Sequence, residues 1–113
     1  MQATLMAKEL RRLIEATKKF VSVNTSRQAH QYIKLDFNME HNSVAAVAVD
    51  GYRMSVEHAV CGTVDENFTA YIRPFTLRPR KDDYAIIEVK DGFCYIRIND
   101  AVTGYKQPNG DFL

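Results

Sequence analysis

Between Ala7 and Val21 the apolar residues Leu10, Leu13, Ile14, Phe20 and Val21 recur at spacings of three, four, seven and eleven, the repeat of one stripe along an α-helix. The opposite face runs through Lys8, Arg12, Glu15 and Lys19, with Arg11 and Lys18 beside it. The spacing predicts an amphipathic helix over residues 7–20. The polar stretch Ser22–Gln28 reads as a loop, and the period then drops to two. Tyr32, Ile33, Leu35 and Phe37 alternate with Lys34, Asp36 and Asn38 as in a half-buried strand.

Met39–Ser43 reads as a turn. The uniform apolar run Val44–Val49 predicts a strand covered on both faces. Asp50-Gly51 signals a two-residue hairpin, because Gly accepts the positive φ such a turn demands, and Tyr52–Val60 reads as the returning strand. Gly62–Asn67 is a further loop and Phe68–Arg73 a further strand, closed by Pro74. Tyr84–Lys90, Asp91-Gly92 and Phe93–Ile98 spell a second hairpin. Asn99-Asp100 then turns the chain into a last strand, Ala101–Gln107. Between Phe75 and Asp83, Pro79 leaves room for about one turn of helix. One helix followed by seven strands predicts an α+β fold, the helix packed on an antiparallel sheet.

Composition adds boundaries. A chain of 113 residues, 46% hydrophobic and 26% charged, suits one globular domain spanning 1–113 that buries roughly two thirds of its unfolded surface. Nothing approaches the run of about 20 apolar residues that a membrane span needs, and no signal peptide is expected. The two cysteines, Cys61 and Cys94, lack the short spacing of a zinc site and read as reduced, half-buried thiols of a cytoplasmic protein. The sequons at Asn24 and Asn67 have no secretory context.

The formal net charge of +1 argues against a uniformly basic nucleic-acid-binding surface, but the charge is unevenly placed. The helix carries +3 and the remaining chain −2. Such a face is either a solvated helix surface or a row of cations for a phosphate backbone.

Catalytic chemistry has little support. His30, His41 and His58 lie in separate segments, and Asp82-Asp83 suits a turn better than an acid–base pair. No Gly-rich phosphate loop or metal-binding His pair is present. The expectation is a protein that acts by binding, without metal or cofactor.

The stretch Val-Ala-Ala-Val-Ala-Val-Asp-Gly-Tyr-Arg-Met-Ser-Val, residues 44–56, resembles the strand, Thr-Asp-Gly-His-Arg-Leu turn and returning strand of the bacterial sliding clamp, the beta subunit of DNA polymerase III, in its middle domain. Residues Arg27–Val56 fit that pattern without a gap. Ala70–Pro74 resembles the clamp strand that ends in Pro-Arg, and Ala101–Phe112 resembles its last strand and the segment after it.

The resemblance implies a peptide-capturing groove at Tyr32, Val49, Gly51, Tyr52, Arg53 and Met54. Tyr32, Val49 and Tyr52 stand where clamps carry Leu, Thr and His. It also implies a DNA-facing first helix, here the basic face of Lys8, Arg11, Arg12, Lys18 and Lys19, followed by Arg27. The implied partners are duplex DNA, held by its backbone, and short peptides of replication or repair proteins.

A clamp subunit has three such domains and two inner helices in each. This chain has one domain, with the second helix shortened or absent at Phe75–Asp83, and it stops at Leu113 before the linker that completes the groove. Encircling DNA implies a homo-oligomer of about six copies, joined head to tail through unpaired sheet edges. The alternative is a clamp-fold interaction module that never touches DNA.

Overall fold

In the computed structural model, which describes residues 1–21, 28–50 and 52–109, the chain opens with a strand. β1 (Gln2–Met6) buries Ala3 and Leu5 and turns Gln2, Thr4 and Met6 the other way. Two inward residues running straight into a helix are too few to register as a period of two, which is why the sequence pattern conceals this strand. The expected loop at Ser22–Gln28 lies, up to Arg27, outside the described residues, as does Asn24.

α1 (Ala7–Thr17) buries Ala7, Leu10, Leu13, Ile14 and Thr17, one stripe at helical spacing. Complete burial of Leu10, Leu13 and Ile14 is worth about 1.5–3 kcal/mol each. Thr17 is the polar member of the stripe, and its hydroxyl donates to the Leu13 carbonyl at 2.8 Å. Beyond it the backbone tightens into a 3₁₀ turn at Lys18–Phe20, with Val21 N–H donating to the Lys18 carbonyl. Phe20 and Val21, expected on the buried stripe, are therefore only half-buried. Among the described residues no side chain caps the start of the helix. Instead the Ala7 N–H donates to the Asp83 carbonyl at 2.8 Å, so a remote segment satisfies one of the donors that helix starts leave open.

After a 3₁₀ turn at Gln28–Gln31, the strands are β2 (Ile33–Asn38), β3 (Ser43–Val49), β4 (Met54–Val60), β5 (Thr63–Val64), β6 (Phe68–Ile72), β7 (Tyr84–Lys90), β8 (Phe93–Ile98) and β9 (Ala101–Lys106). They form two antiparallel sheets, ordered β5-β1-β7-β8-β9 and β4-β3-β2-β6. The fold class is the expected α+β, but the described residues contain nine strands in two sheets rather than seven in one. A period of two fixes which face of a strand is buried and leaves open which strand it joins.

The topology repeats. β2-β3-β4 is a meander completed on its free side by β6, and β7-β8-β9 is a meander completed by β1. Each half of the chain thus lends its first strand to the other half's sheet. α1 follows β1 and packs against β3 and β4. Its counterpart after β6 is the segment 73–83, where Pro74 and Pro79 leave no helix at all.

That segment is an extended strap. Phe75, Leu77 and Pro79 are half-buried while Thr76, Arg78 and Arg80 are exposed, the alternation of a strand that has no ladder partner. Phe75 packs beside Tyr105, with ring centroids 6.0 Å apart. A depression of about 250 Å³ remains between Phe75 and Leu77 on one side and Ile96, Ile98 and Ala101 on the other.

The turns follow their residues with one exception. Asp91 (φ 53°) and Gly92 (φ 81°) join the paired Lys90 and Phe93, both left-handed as a two-residue type I′ hairpin requires. The Asp50-Gly51 hairpin is wider than expected. Val49 pairs with Met54, leaving residues 50–53 as the loop, and Gly51 lies outside the described residues. The strand Val44–Val49 is buried on both faces only from Ala46 onward. Cys61 and Cys94 are fully buried rather than half-buried, and desolvation pushes their thiols up to about 11 and about 12.

Candidate functional site

The outward face of α1 sorts its cations into two groups. Lys8, Arg11 and Lys19 are exposed and form no ion pair among the described residues. Arg12 is committed to structure: its Nε meets Glu9 at 2.8 Å, one terminal nitrogen meets Glu57 at 3.2 Å, and the other donates to the His58 carbonyl at 2.6 Å. The Glu9 hydrogen bond is the main reason its pKa is raised. Lys18 pairs with Glu15 at 2.6 Å and holds that carboxyl below its ordinary range, with a smaller contribution from Arg11. Arg27 lies outside the described residues.

The residues expected to line a peptide groove divide in a similar way. Tyr32 (4% exposed) and Val49 (8%) are buried. Val49 joins Ala29, Val47 and Tyr71 in a small cluster on the outer face of β3, and Tyr32 meets Tyr71 edge-on beneath the guanidinium of Arg73. Tyr52 is 97% exposed and Met54 57%. What solvent meets here is therefore Tyr52, Arg53 and Met54, with Val49 paired to Met54 and Tyr32 buried against Tyr71.

Asp50 organises this corner. One carboxylate oxygen accepts the N–H groups of Tyr52 (3.0 Å) and Arg53 (2.8 Å), and the other accepts the Arg53 guanidinium. The two backbone donors are the leading cause of its lowered pKa. Arg53 also lies over the ring of Phe20, 4.9 Å from its centroid. The loop is thereby joined to the turn that follows α1. Phe20 is the residue sequence reasoning misassigned, because its place on the apolar stripe hid its role under Arg53.

His30, His41 and His58 stay apart in a 3₁₀ turn, a loop and β4. Among the described residues no three His, Cys, Asp or Glu side chains gather as a metal site, and no helix is long and apolar enough to cross a membrane.

Two antiparallel sheets whose halves exchange strands, with a helix braced on them, match the architecture of a sliding-clamp domain, here with one helix among the described residues where such a domain has two. The chain is similar to the putative DNA polymerase III beta subunit of Eubacterium rectale, with a TM-score of 0.87 at 12% identity, covering 100% of this chain and 32% of that one. It is equally similar to the DNA polymerase sliding clamp of Bacillus subtilis (TM-score 0.87, 12% identity, 100% and 31% covered). The Helicobacter pylori beta clamp bound to a DNA ligase peptide matches with a TM-score of 0.78 at 16% identity, over 99% of this chain and 31% of that one. At these identities the likeness is one of fold, and the chain spans about a third of the length of the structures it matches. No family model matches the chain, and no curated protein is significantly similar to it in sequence.

Proposed function

We propose that the chain is a non-catalytic, cytoplasmic, clamp-like accessory of DNA replication that holds duplex DNA by its backbone. The observation that carries this reading is the set of exposed cations that form no ion pair among the described residues, Lys8, Arg11 and Lys19, on the helix and following turn of a clamp-like fold. Ammonium and guanidinium groups on a rigid helix meet phosphates without reading bases, which is what a protein that slides requires. Arg12 serves the surface indirectly by fixing α1 to β4.

Self-assembly supplies the ring. The sheets end on β4, β6, β5 and β9. β5 has two residues, and β6 is occupied by the side chain of Gln107, which bonds both the N–H and the carbonyl of Tyr71. β4 and β9, seven and six residues long, are the edges suited to pair between copies. The first test is the molar mass by light scattering, with and without duplex DNA. A ring of six is expected at roughly 77 kDa from the 12.9 kDa chain. A monomer at every concentration overturns the ring, and unchanged salt-dependent DNA affinity in K8E/R11E/K19E overturns the helix as the DNA surface.

A second reading rests on the 97% exposure of Tyr52 beside Met54 and the anchored Arg53. An aromatic wall, an adaptable apolar side chain and a fixed cation suit capture of a short peptide of a replication or repair protein. If Y52A/R53A retains peptide binding, this docking corner is wrong.

A further inference from the structure

The strap at residues 73–83 occupies the place in the second half of the chain that α1 occupies in the first. Both lie over the buried face of a sheet: α1 beneath β3 and β4, and the strap, through Phe75 and Leu77, beneath β8 and β9. The two meet where the Asp83 carbonyl accepts the Ala7 N–H at 2.8 Å. Lys8 follows that contact directly on α1, and Lys81 stands two residues before it on the strap.

The strap's outward positions are basic. Arg78, Arg80 and Lys81 are exposed and, like Lys8, Arg11 and Lys19, form no ion pair among the described residues. The acidic neighbour Asp83 is turned inward to its own backbone, its carboxylate accepting the Arg80 N–H at 2.8 Å. Asp82 is the remaining exposed carboxylate of the segment. Half-buried Phe75, Leu77 and Pro79 hold the strap in one orientation, so the alternation that buries them aims Arg78 and Arg80 away from the sheet.

We propose that Arg78, Arg80 and Lys81 form a second phosphate-contacting strip, continuous with the basic face of α1 across the Ala7–Asp83 junction, and that duplex DNA lies on both. The proposal rests on the DNA-holding function put forward above. The missing helix is replaced in charge, though not in shape, by an extended basic edge. An extended chain rises about 3.3 Å per residue against 1.5 Å in a helix, so alternate outward side chains stand roughly 6.6 Å apart, close to the spacing of successive phosphates along one strand.

The test is binding of a 20-base-pair duplex to the full chain, measured by fluorescence anisotropy across a range of salt concentrations. R78Q/R80Q/K81Q removes three cations and leaves Phe75 and Leu77 in place. The slope of log K against log salt is expected to become shallower by about 2.7, at about 0.9 per phosphate contact, and R78K/R80K is expected to keep the wild-type slope. An unchanged slope in R78Q/R80Q/K81Q, beside a shallower one in K8Q/R11Q/K19Q, overturns the strip and leaves the wider function standing. Unchanged slopes in both variants, or no binding by the wild type, overturn the two together. A loss in R78K/R80K equal to that in the glutamine variant overturns the electrostatic role.

Discussion

A guanidinium nitrogen of Arg12 donates to the backbone carbonyl of His58 at 2.6 Å while its Nε holds Glu9 on its own helix. One side chain thus ties the exposed face of α1 to the edge strand β4, next to the Ser55 hydroxyl that donates to the Ala16 carbonyl. The pair defines how the helix sits over its sheet. Arg12→Ala is expected to cost about 1 kcal/mol, discounted for the half-exposed setting, and to lower the melting temperature by about 4 °C. Arg12→Lys restores the charge without the planar fork and recovers little of that loss. Thermal melts of both variants check this, and wild-type stability in Arg12→Lys would show that charge alone suffices.

Gln107 imitates a strand. Its carboxamide accepts from the Tyr71 N–H at 2.8 Å and donates to the Tyr71 carbonyl at 2.9 Å, as a neighbouring peptide group would. Gln107→Ala uncovers β6 and leaves those groups to water, so a loss of about 1–2 kcal/mol and concentration-dependent association are expected. Gln107→Glu places a carboxylate against two carbonyl oxygens, which raises its folded pKa. Relative to the wild type, the variant is then destabilised at neutral pH and recovers part of that loss as the pH falls and the acid protonates. Denaturant titration at pH 4 and pH 7 reads the sign.

The buried thiols set an alkaline limit. Free cysteine titrates near 8.5, whereas Cys61 and Cys94 are held at about 11 and about 12 by desolvation. Above the unfolded value the unfolded chain gives up protons that the folded chain keeps. The stability present below about pH 8.5 is therefore lost progressively as the pH climbs toward the folded values. In C61A/C94A this part of the alkaline decline disappears, although the lost core atoms lower stability at every pH. A wild-type thiol that reacts with a disulfide reagent in the native state as fast as in denaturant would contradict this burial.

Asp50 works in the opposite direction. Accepting the Tyr52 and Arg53 N–H groups lowers its pKa, so its contribution is present above the ordinary carboxylate value and vanishes as the pH falls through the lower folded value. The amide resonances of Tyr52 and Arg53 are expected to move together in an acid titration, with a midpoint below the usual aspartate range. In Asp50→Asn that movement is absent, while Tyr52 stays exposed.

Legibility in the sequence varied with the physics behind each element. α1 was readable because three buried residues at helical spacing cannot arise from a strand, and the Asp91-Gly92 turn because two consecutive left-handed residues demand such a pair. The Asp50 loop was misjudged in width. The same Asp-Gly dipeptide serves a longer turn here, where the aspartate side chain accepts two loop N–H groups and the Asp50 N–H donates to the Arg53 carbonyl at 3.1 Å. At the candidate site the exposed cations were visible from the helix period, but the withdrawal of Arg12 into contacts with Glu57 and His58 was not. Those partners lie more than forty positions away, and no local pattern carries that distance. Arg78, Arg80 and Lys81 are hidden for a related reason: the topological repeat that sets the strap opposite α1 is not displayed by spacing along the chain.

The exchange of first strands between the halves bears on how the chain matures during synthesis. Gln2 leaves the ribosome on the order of several seconds before Glu88, the residue the register matches it with, at ordinary elongation rates. Until then α1 has no completed sheet behind its first turn, because the Asp83 carbonyl that receives its first N–H has not emerged either. Until β7 appears, Ala3 and Leu5 lack that partner and offer a stretch for a holding chaperone to shield, and β7 then locks β1 in place.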